Sequence, residues 1–210
     1  MTIDDTGLRH IPDPAGIDTA RTLPASWYSD PSFFERERER VFRRGWVCAA
    51  VVDELPEASA WIARTVGGVP VLLVRGADGE LRGFVNVCRH RASPLCLDPV
   101  AGSGSGSVIR CPYHAWIYRL DGALAKANGV GEPAGFDLAD HSLQPVSVAI
   151  WRRLVFVDVS AAGSTLDLGP LAAAVDACPI ERMQPVVAET DVRAFNWKVL
   201  LENYSENYHT

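Results

Sequence analysis

At 210 residues, with 48% hydrophobic and 22% charged side chains, the chain is composed like an ordinary globular protein and can bury one large core or two small ones. Its net charge of -6 argues against a general nucleic-acid or anionic-membrane binder, since both need clustered Lys and Arg. No apolar run approaches the ~20 residues that cross a bilayer, and the acidic start "MTIDDTGLRH" lacks the segments of a secretory leader, so a cytoplasmic location is expected.

Residues 1–26 read as an irregular arm punctuated by Pro12, Pro14 and Pro24. "SDPSFFERERERVFRRGW" predicts a helix, with Asp30 or Ser32 as its cap, Pro31 in its first turn and Gly45 at its end. Phe34, Val41 and Phe42 would form its buried side, and the alternating Glu and Arg from Glu35 to Arg40 a solvated face. This arm and helix make a first segment, 1–45. From Trp46 the pattern changes to short runs rich in Val, Ile and aromatics: "VCAAVV", "WIARTV", "VPVLLVR", "LRGFVNV", "SVIRCPY", "WIYRL", "SVAIW" and "LVFVDV". "ADGE" and "RLDGA" between them are hairpin turn signals, and the whole predicts an all-β module over 46–160, a small barrel or sandwich. "GSGSGS" at 102–107 reads as a flexible loop tip.

Residues 161–185 comprise a linker, "AAGSTLDLGP", and a short helix, "LAAAVDACP". A further domain is expected to begin at 186, with "VVAETDVRAF" as a strand and "NWKVLLENYSENYH" as a helix capped by Asn196. Trp197, Leu200, Leu201, Tyr204 and Tyr208 would form that helix's apolar stripe. Glu202, Glu206 and His209 fall at i, i+4 and i+7 on another side, like the first part of a metal site. The fold class expected is mainly β with α, an all-β domain followed by the start of an α+β domain.

The five cysteines are scattered, unlike a disulfide framework. Two stand close before histidines, in Cys88-x-His90 and Cys111-x-x-His114, each just after a predicted strand. Two thiolates and two imidazoles suit an iron–sulfur centre of mixed ligation, with both cysteines on one iron and both histidines on the other. Three other readings stay open on the residues alone. One is a tetrahedral zinc site on the same four side chains; another is a set of unrelated structural Cys and His residues. A thiol redox pair is disfavoured by the lack of any C-x-x-C.

"VCRHRASPLC" and "RCPYHAW" in an all-β setting resemble the Rieske [2Fe–2S] domain of non-haem iron oxygenases, and the resemblance runs from about residue 25 to the end of the chain. It implies that Cys88 and Cys111 hold one iron and His90 and His114 the other. It also implies that Trp116 packs over the cluster, with Arg91 and Tyr113 around it. This sequence departs from the family in three places. Twenty residues separate His90 from Cys111, the excess being "AGSGSGS" as a surface loop extension. Ala92 and Ala115 stand where the family often has glycine, and neither is expected to need a positive φ. Respiratory Rieske proteins carry a disulfide beside the cluster; Cys96 has no partner in the second loop, where Tyr113 stands, and reads as a small buried residue.

The helix "NWKVLLENYSENYH" resembles the first helix of the same family's catalytic domain, where Fe(II) sits in a two-His, one-carboxylate triad. By that resemblance His209 is an iron ligand, Glu206 the carboxylate bridging a Rieske histidine of one subunit to the iron-binding histidine of its neighbour, and Asn203 an asparagine near the iron. The remaining triad ligands are not in the chain, so it is expected to hold the [2Fe–2S] cluster but to be inactive alone. The resemblance further implies a homotrimer, a reductase or ferredoxin as electron donor, and O₂ with an organic substrate. Glu206, where ring-dihydroxylating members usually have Asp, points to quaternary ammonium compounds; an aromatic-ring dioxygenase is the alternative. A Rieske ferredoxin-like carrier is a further alternative, with no evident use for the last helix.

Overall fold

The computed structural model describes residues 22–98, 102–131, 133–160, 165–186 and 191–205. Two short helices open it, α1 (Ser26–Ser29) and α2 (Pro31–Glu37). Asp30 caps α2, its carboxylate accepting the Ser32 N–H at 2.8 Å. α2 then passes into a π-helical turn, Arg38–Phe42, closed by an i to i+5 bond from the Arg43 N–H to the Arg38 carbonyl at 2.9 Å. The wider turn adds a residue and rotates the side chains, so the expected apolar side is not the buried one. Phe34 and Val41 are 41% and 50% exposed, and Glu37 is buried instead. Arg38 is not merely solvated either: its guanidinium lies over Gly68, where any Cβ would collide with it.

Ten strands follow among the described residues: β1 (Val47–Val51), β2 (Ala60–Val66), β3 (Val69–Arg75), β4 (Leu81–Val85), β5 (Ser103–Ser105), β6 (Ile109–Arg110), β7 (Ile117–Tyr118), β8 (Leu124–Lys126), β9 (Pro145–Trp151) and β10 (Leu154–Asp158). They form an antiparallel seven-stranded sheet in the order β1-β10-β9-β4-β3-β2-β5 and a three-stranded sheet, β6-β7-β8. The continuous apolar run of β3 is explained by burial on both faces. Val71 and Leu73 enter a core with Leu55, Ile62, Val66, Val155 and Val157. Leu72 and Val74 enter the other, with Phe84, Trp116, Tyr118 and Leu124. The second core joins the two sheets, and it contains Cys88 and Cys111.

β5 corrects the expectation of a flexible loop at "GSGSGS". Ser103 pairs with Ile62 and Ser105 with Ala60. Gly104 lies flat on Trp61, leaving no room for a side chain: a Cβ there would sit 2.4 Å from the indole. The short helix expected in "LAAAVDACP" is α3 (Pro170–Ala174). Of the strand expected over 186–195, residues 191–195 are irregular and 187–190 lie outside the described residues. The last helix is α4 (Trp197–Ser205), capped as expected by Asn196, whose Oδ1 accepts the Lys198 N–H at 3.1 Å. Leu200, Leu201 and Tyr204 of its expected apolar stripe are 49–79% exposed, and Lys198 is its buried residue.

Residues 36–192 form one compact unit, and residues 1–35 with 193–210 form another. Among the described residues no helix is long and apolar enough to cross a membrane.

Candidate metal centre

Both Cys/His segments are turns, and they share one backbone frame. After β4, the Cys88 N–H donates to the Ser93 carbonyl at 2.8 Å and the Ala92 N–H to the Cys88 carbonyl at 3.1 Å. After β6, the Cys111 N–H donates to the Trp116 carbonyl at 2.8 Å and the Ala115 N–H to the Cys111 carbonyl at 3.1 Å. Reversing the chain directly after a helical-type i to i+4 bond requires a left-handed residue. Ala92 and Ala115 adopt it, with φ of 54° and 56°. The expectation of ordinary backbone at these two alanines is therefore wrong, and each carries the strain that glycine would avoid.

The turns bring like donors together. Cys88 and Cys111 are each 2% exposed and lie within hydrogen-bonding reach of one another. The His90 and His114 rings are 4.7 Å apart, edge to face. Both histidines bury Nδ1 with no hydrogen-bond partner, a costly state for a polar nitrogen unless it is a ligand. Among the described residues no three His, Cys, Asp or Glu donors converge tightly enough for a single ion. Thiols paired with thiols and imidazoles paired with imidazoles fit a two-iron unit with two donors on each iron. They do not fit a lone tetrahedral zinc, which would draw all four together.

The surroundings favour the same occupant. Burial pushes the Cys88 thiol up, opposed by the Tyr118 hydroxyl at 3.2 Å and by the backbone N–H of His90. The Tyr118 oxygen accepts the Arg89 N–H at 3.0 Å, which leaves its own proton available to a Cys88 thiolate. Burial, His114 and the Arg91 charge all push His90 down, toward the neutral imidazole that a metal needs. Trp116 is stacked on His90, ring centres 4.8 Å apart and planes 7° apart. Tyr113 lies against His114, ring centres 3.7 Å apart. Trp116 is backed edge-on by Phe136 and His141.

Two asparagines brace the turns, and neither was singled out from sequence. Asn86 is fully buried. Its amide donates to the Cys96 carbonyl at 3.1 Å, and its Oδ1 accepts the Leu95 and Cys96 N–H groups at 3.1 and 3.0 Å. Asn128 donates to the carbonyl of Ala115. The signal for Asn86 was present in "GFVNVC", one amide inside an apolar strand. Cys96 is buried as expected, and all five cysteines are free, so no disulfide flanks the ligands.

Asn203 is exposed on α4, and Glu202 accepts the Tyr28 hydroxyl at 2.5 Å. Glu206 and His209 lie outside the described residues.

The profile of the Rieske [2Fe–2S] domain matches residues 45–152. The carnitine monooxygenase oxygenase subunit of Escherichia coli K12 is 38% identical over 93% of this chain and 52% of its own length. The chloroplastic choline monooxygenase of Spinacia oleracea is 32% identical over 91% of this chain and 45% of its own. The crystal structure of the apo quaternary ammonium Rieske monooxygenase CntA superposes with a TM-score of 0.81 at 35% identity, covering 90% of this chain and 55% of that one. The chain thus spans about half the length of the curated relatives it matches.

Proposed function

Since the chain belongs to the Rieske non-haem iron oxygenases, as part of an α subunit, we propose that Cys88, Cys111, His90 and His114 hold a [2Fe–2S] cluster serving an oxygenase that acts on a quaternary ammonium compound. The observation that carries the cluster assignment is the pairing of like donors, with both imidazole Nδ1 atoms buried and unpartnered. Such a cluster supplies single electrons at a potential raised by its neutral imidazole ligands, within about -150 to +300 mV. The chain's own residues set the conditions. Tyr118 and the His90 N–H donate to the Cys88 sulfur and Trp116 covers His90, so the thiolate charge is held without water. With Nδ1 turned inward, each imidazole keeps its proton on Nε2, a donor for a carboxylate.

In the whole protein, Glu206 is that carboxylate, His209 an Fe(II) ligand and Asn203 a neighbour of the iron, within a catalytic part that begins near residue 186. A homotrimer follows from a bridge made between subunits, and electrons come from a reductase or ferredoxin in the cytoplasm. The ammonium substrate class is supported by relatives named for carnitine and choline, together with the glutamate at position 206. Anaerobic reconstitution of this chain should give two irons, two sulfides and a rhombic Rieske spectrum after dithionite; zinc in their place overturns the cluster. Substrate-dependent NADH consumption by the full-length subunit with a reductase, screened over betaines and aromatic acids, tests the substrate class. Turnover of aromatic acids alone rejects it.

A further inference from the structure

The three-stranded sheet has one face in the core and one in water. Ile109, Tyr118 and Leu124 are buried. Arg110, Ile117 and Lys126 lie opposite one another in a row across β6, β7 and β8, the register shift between β7 and β8 keeping Lys126 in line. Both cations are exposed and Ile117 is half-buried between them. Val108, two residues before Arg110, is 43% exposed. Arg64, Arg82, Arg152 and Arg153 are held in ion pairs, but among the described residues Arg110 and Lys126 are in none. Among the same residues, Lys126 is the one charged group lining a groove at β8, and Arg110 the one lining a smaller cavity at β6.

The sign runs against the trend of the chain. From Arg89 to Lys126 there are five Lys and Arg but two Asp and Glu, in a protein whose net charge is -6. One of those two acids, Asp121, is tied to Arg119. An acidic partner is therefore repelled by most of the chain and drawn to this part of it. The row also adjoins the candidate metal centre. Arg110 directly precedes Cys111, and Ile117 directly follows Trp116, the ring stacked on His90. Electron tunnelling falls off exponentially with distance, and an electron arriving on this face has one residue to cross on either strand. The imidazoles stay free to face a carboxylate acceptor.

We propose that the Arg110–Ile117–Lys126 face is where electrons enter the cluster, as the docking surface of a one-electron carrier protein that meets it with carboxylates. The inference rests on the reading of Cys88, Cys111, His90 and His114 as the cluster's ligands. Ile117 and Val108 supply a small apolar centre, and the two cations a polar rim that steers encounter and sets orientation more than it adds affinity. That balance suits a carrier that must leave after each delivery. The step moves one electron from the reduced carrier to the oxidised cluster, with no bond made or broken and no further reactant.

The test uses the full-length holo subunit and two reductants of opposite charge: reduced plant-type ferredoxin, an acidic [2Fe–2S] protein, and the reduced methyl viologen cation. Cluster reduction is followed by stopped flow with each, beside the Rieske spectrum and the sedimentation of the subunit. Lys126→Glu should slow reduction by ferredoxin about tenfold at low salt and Arg110→Gln roughly threefold, both losses shrinking at ~0.5 M salt. Reduction by methyl viologen should not slow in either variant, and the Rieske spectrum should be that of wild type. Lys126→Arg should keep the wild-type rate, as should Arg182→Glu, the same reversal of charge at an exposed position outside this sheet. A ferredoxin rate unchanged by Lys126→Glu, or lowered as much by Arg182→Glu, overturns the proposal, as does equal slowing with both reductants. So does a Lys126→Glu subunit that sediments as a smaller species with its ferredoxin rate intact, which would give the face to a second copy of the chain. A wild-type subunit without a Rieske spectrum instead rejects the cluster, and this inference with it.

Discussion

The turn at Cys88 and the turn at Cys111 are closed by the same two backbone bonds, and each puts an alanine in the left-handed region. They are fastened to the β module in different ways. The first is held from the dry interior, by a fully buried asparagine that makes three hydrogen bonds across the loop. The second is held near the surface, where Asn128 makes a single bond to Ala115 on the edge of a groove that it shares with Lys126, Phe136 and Leu138. The frame of a ligand turn is thus dictated by where its donors must point, and its brace by the depth at which it sits.

Removing each brace gives the largest expected effect and the most direct way to break this comparison. Asn86→Ala leaves three buried backbone groups without partners and should cost about 2–4 kcal/mol in urea unfolding of the cluster-free chain, whereas Asn128→Ala should cost about 1 kcal/mol. Equal costs would mean that depth does not distinguish the turns. The shared frame is tested next. Ala92→Gly and Ala115→Gly each relieve a left-handed alanine and should stabilise by roughly 0.5–1 kcal/mol, the relief exceeding glycine's greater unfolded-state entropy. Similar gains at both positions support one frame; a loss at either rejects it there.

A finer asymmetry lies in the sulfurs. Tyr118→Phe removes a hydroxyl donor from Cys88, so the reconstituted cluster should remain, with its midpoint potential lowered by roughly tens of millivolts in protein-film voltammetry. An unchanged potential would remove Tyr118 from the site's electrostatics. The smallest effect is expected at the β3–β4 turn, which a surface ion pair holds. The Arg82 guanidinium, 2.7 Å away, holds the Asp78 carboxyl down at about 2, below its ordinary 3.8. A lowered folded-state value means stability that is present above 3.8 and lost as pH falls through 2. The small advantage of wild type over Asp78→Asn in thermal melts should therefore be flat from neutral pH to about 3.8 and gone near 2. Persistence below that would point to a contact other than the charge.

The strands long enough to carry a pattern were legible from sequence, because alternation or an unbroken Val/Leu run reports burial on one face or two. β8 was missed because three residues, "LAK", are too few to show a period. β5 was missed because serine and glycine have no hydrophobicity to alternate. The four Cys and His side chains that the two turns bring together were legible from chemistry and spacing, and so were the burial of Cys96 and the cap at Asn196. The left-handed alanines were not, since φ is set by the turn's closure and not by the residue's own preference. Phe34 and Val41 were misjudged because the π-helical turn breaks the period that assigned them to the core. Tyr118 was placed on the correct strand, but its contact with Cys88 spans 30 residues, a separation at which local pattern carries no information.

The Ser103–Ser105 strand closes one end of the seven-stranded sheet with almost nothing for another chain to grip. A sheet border normally invites a second chain to add on, and proteins guard against this with charge, proline or brevity. Here a three-residue rim of serines and one glycine offers little apolar surface to a would-be partner. Valine at positions 103 and 105 would turn that rim into a seed for self-association while leaving both Cys/His turns untouched.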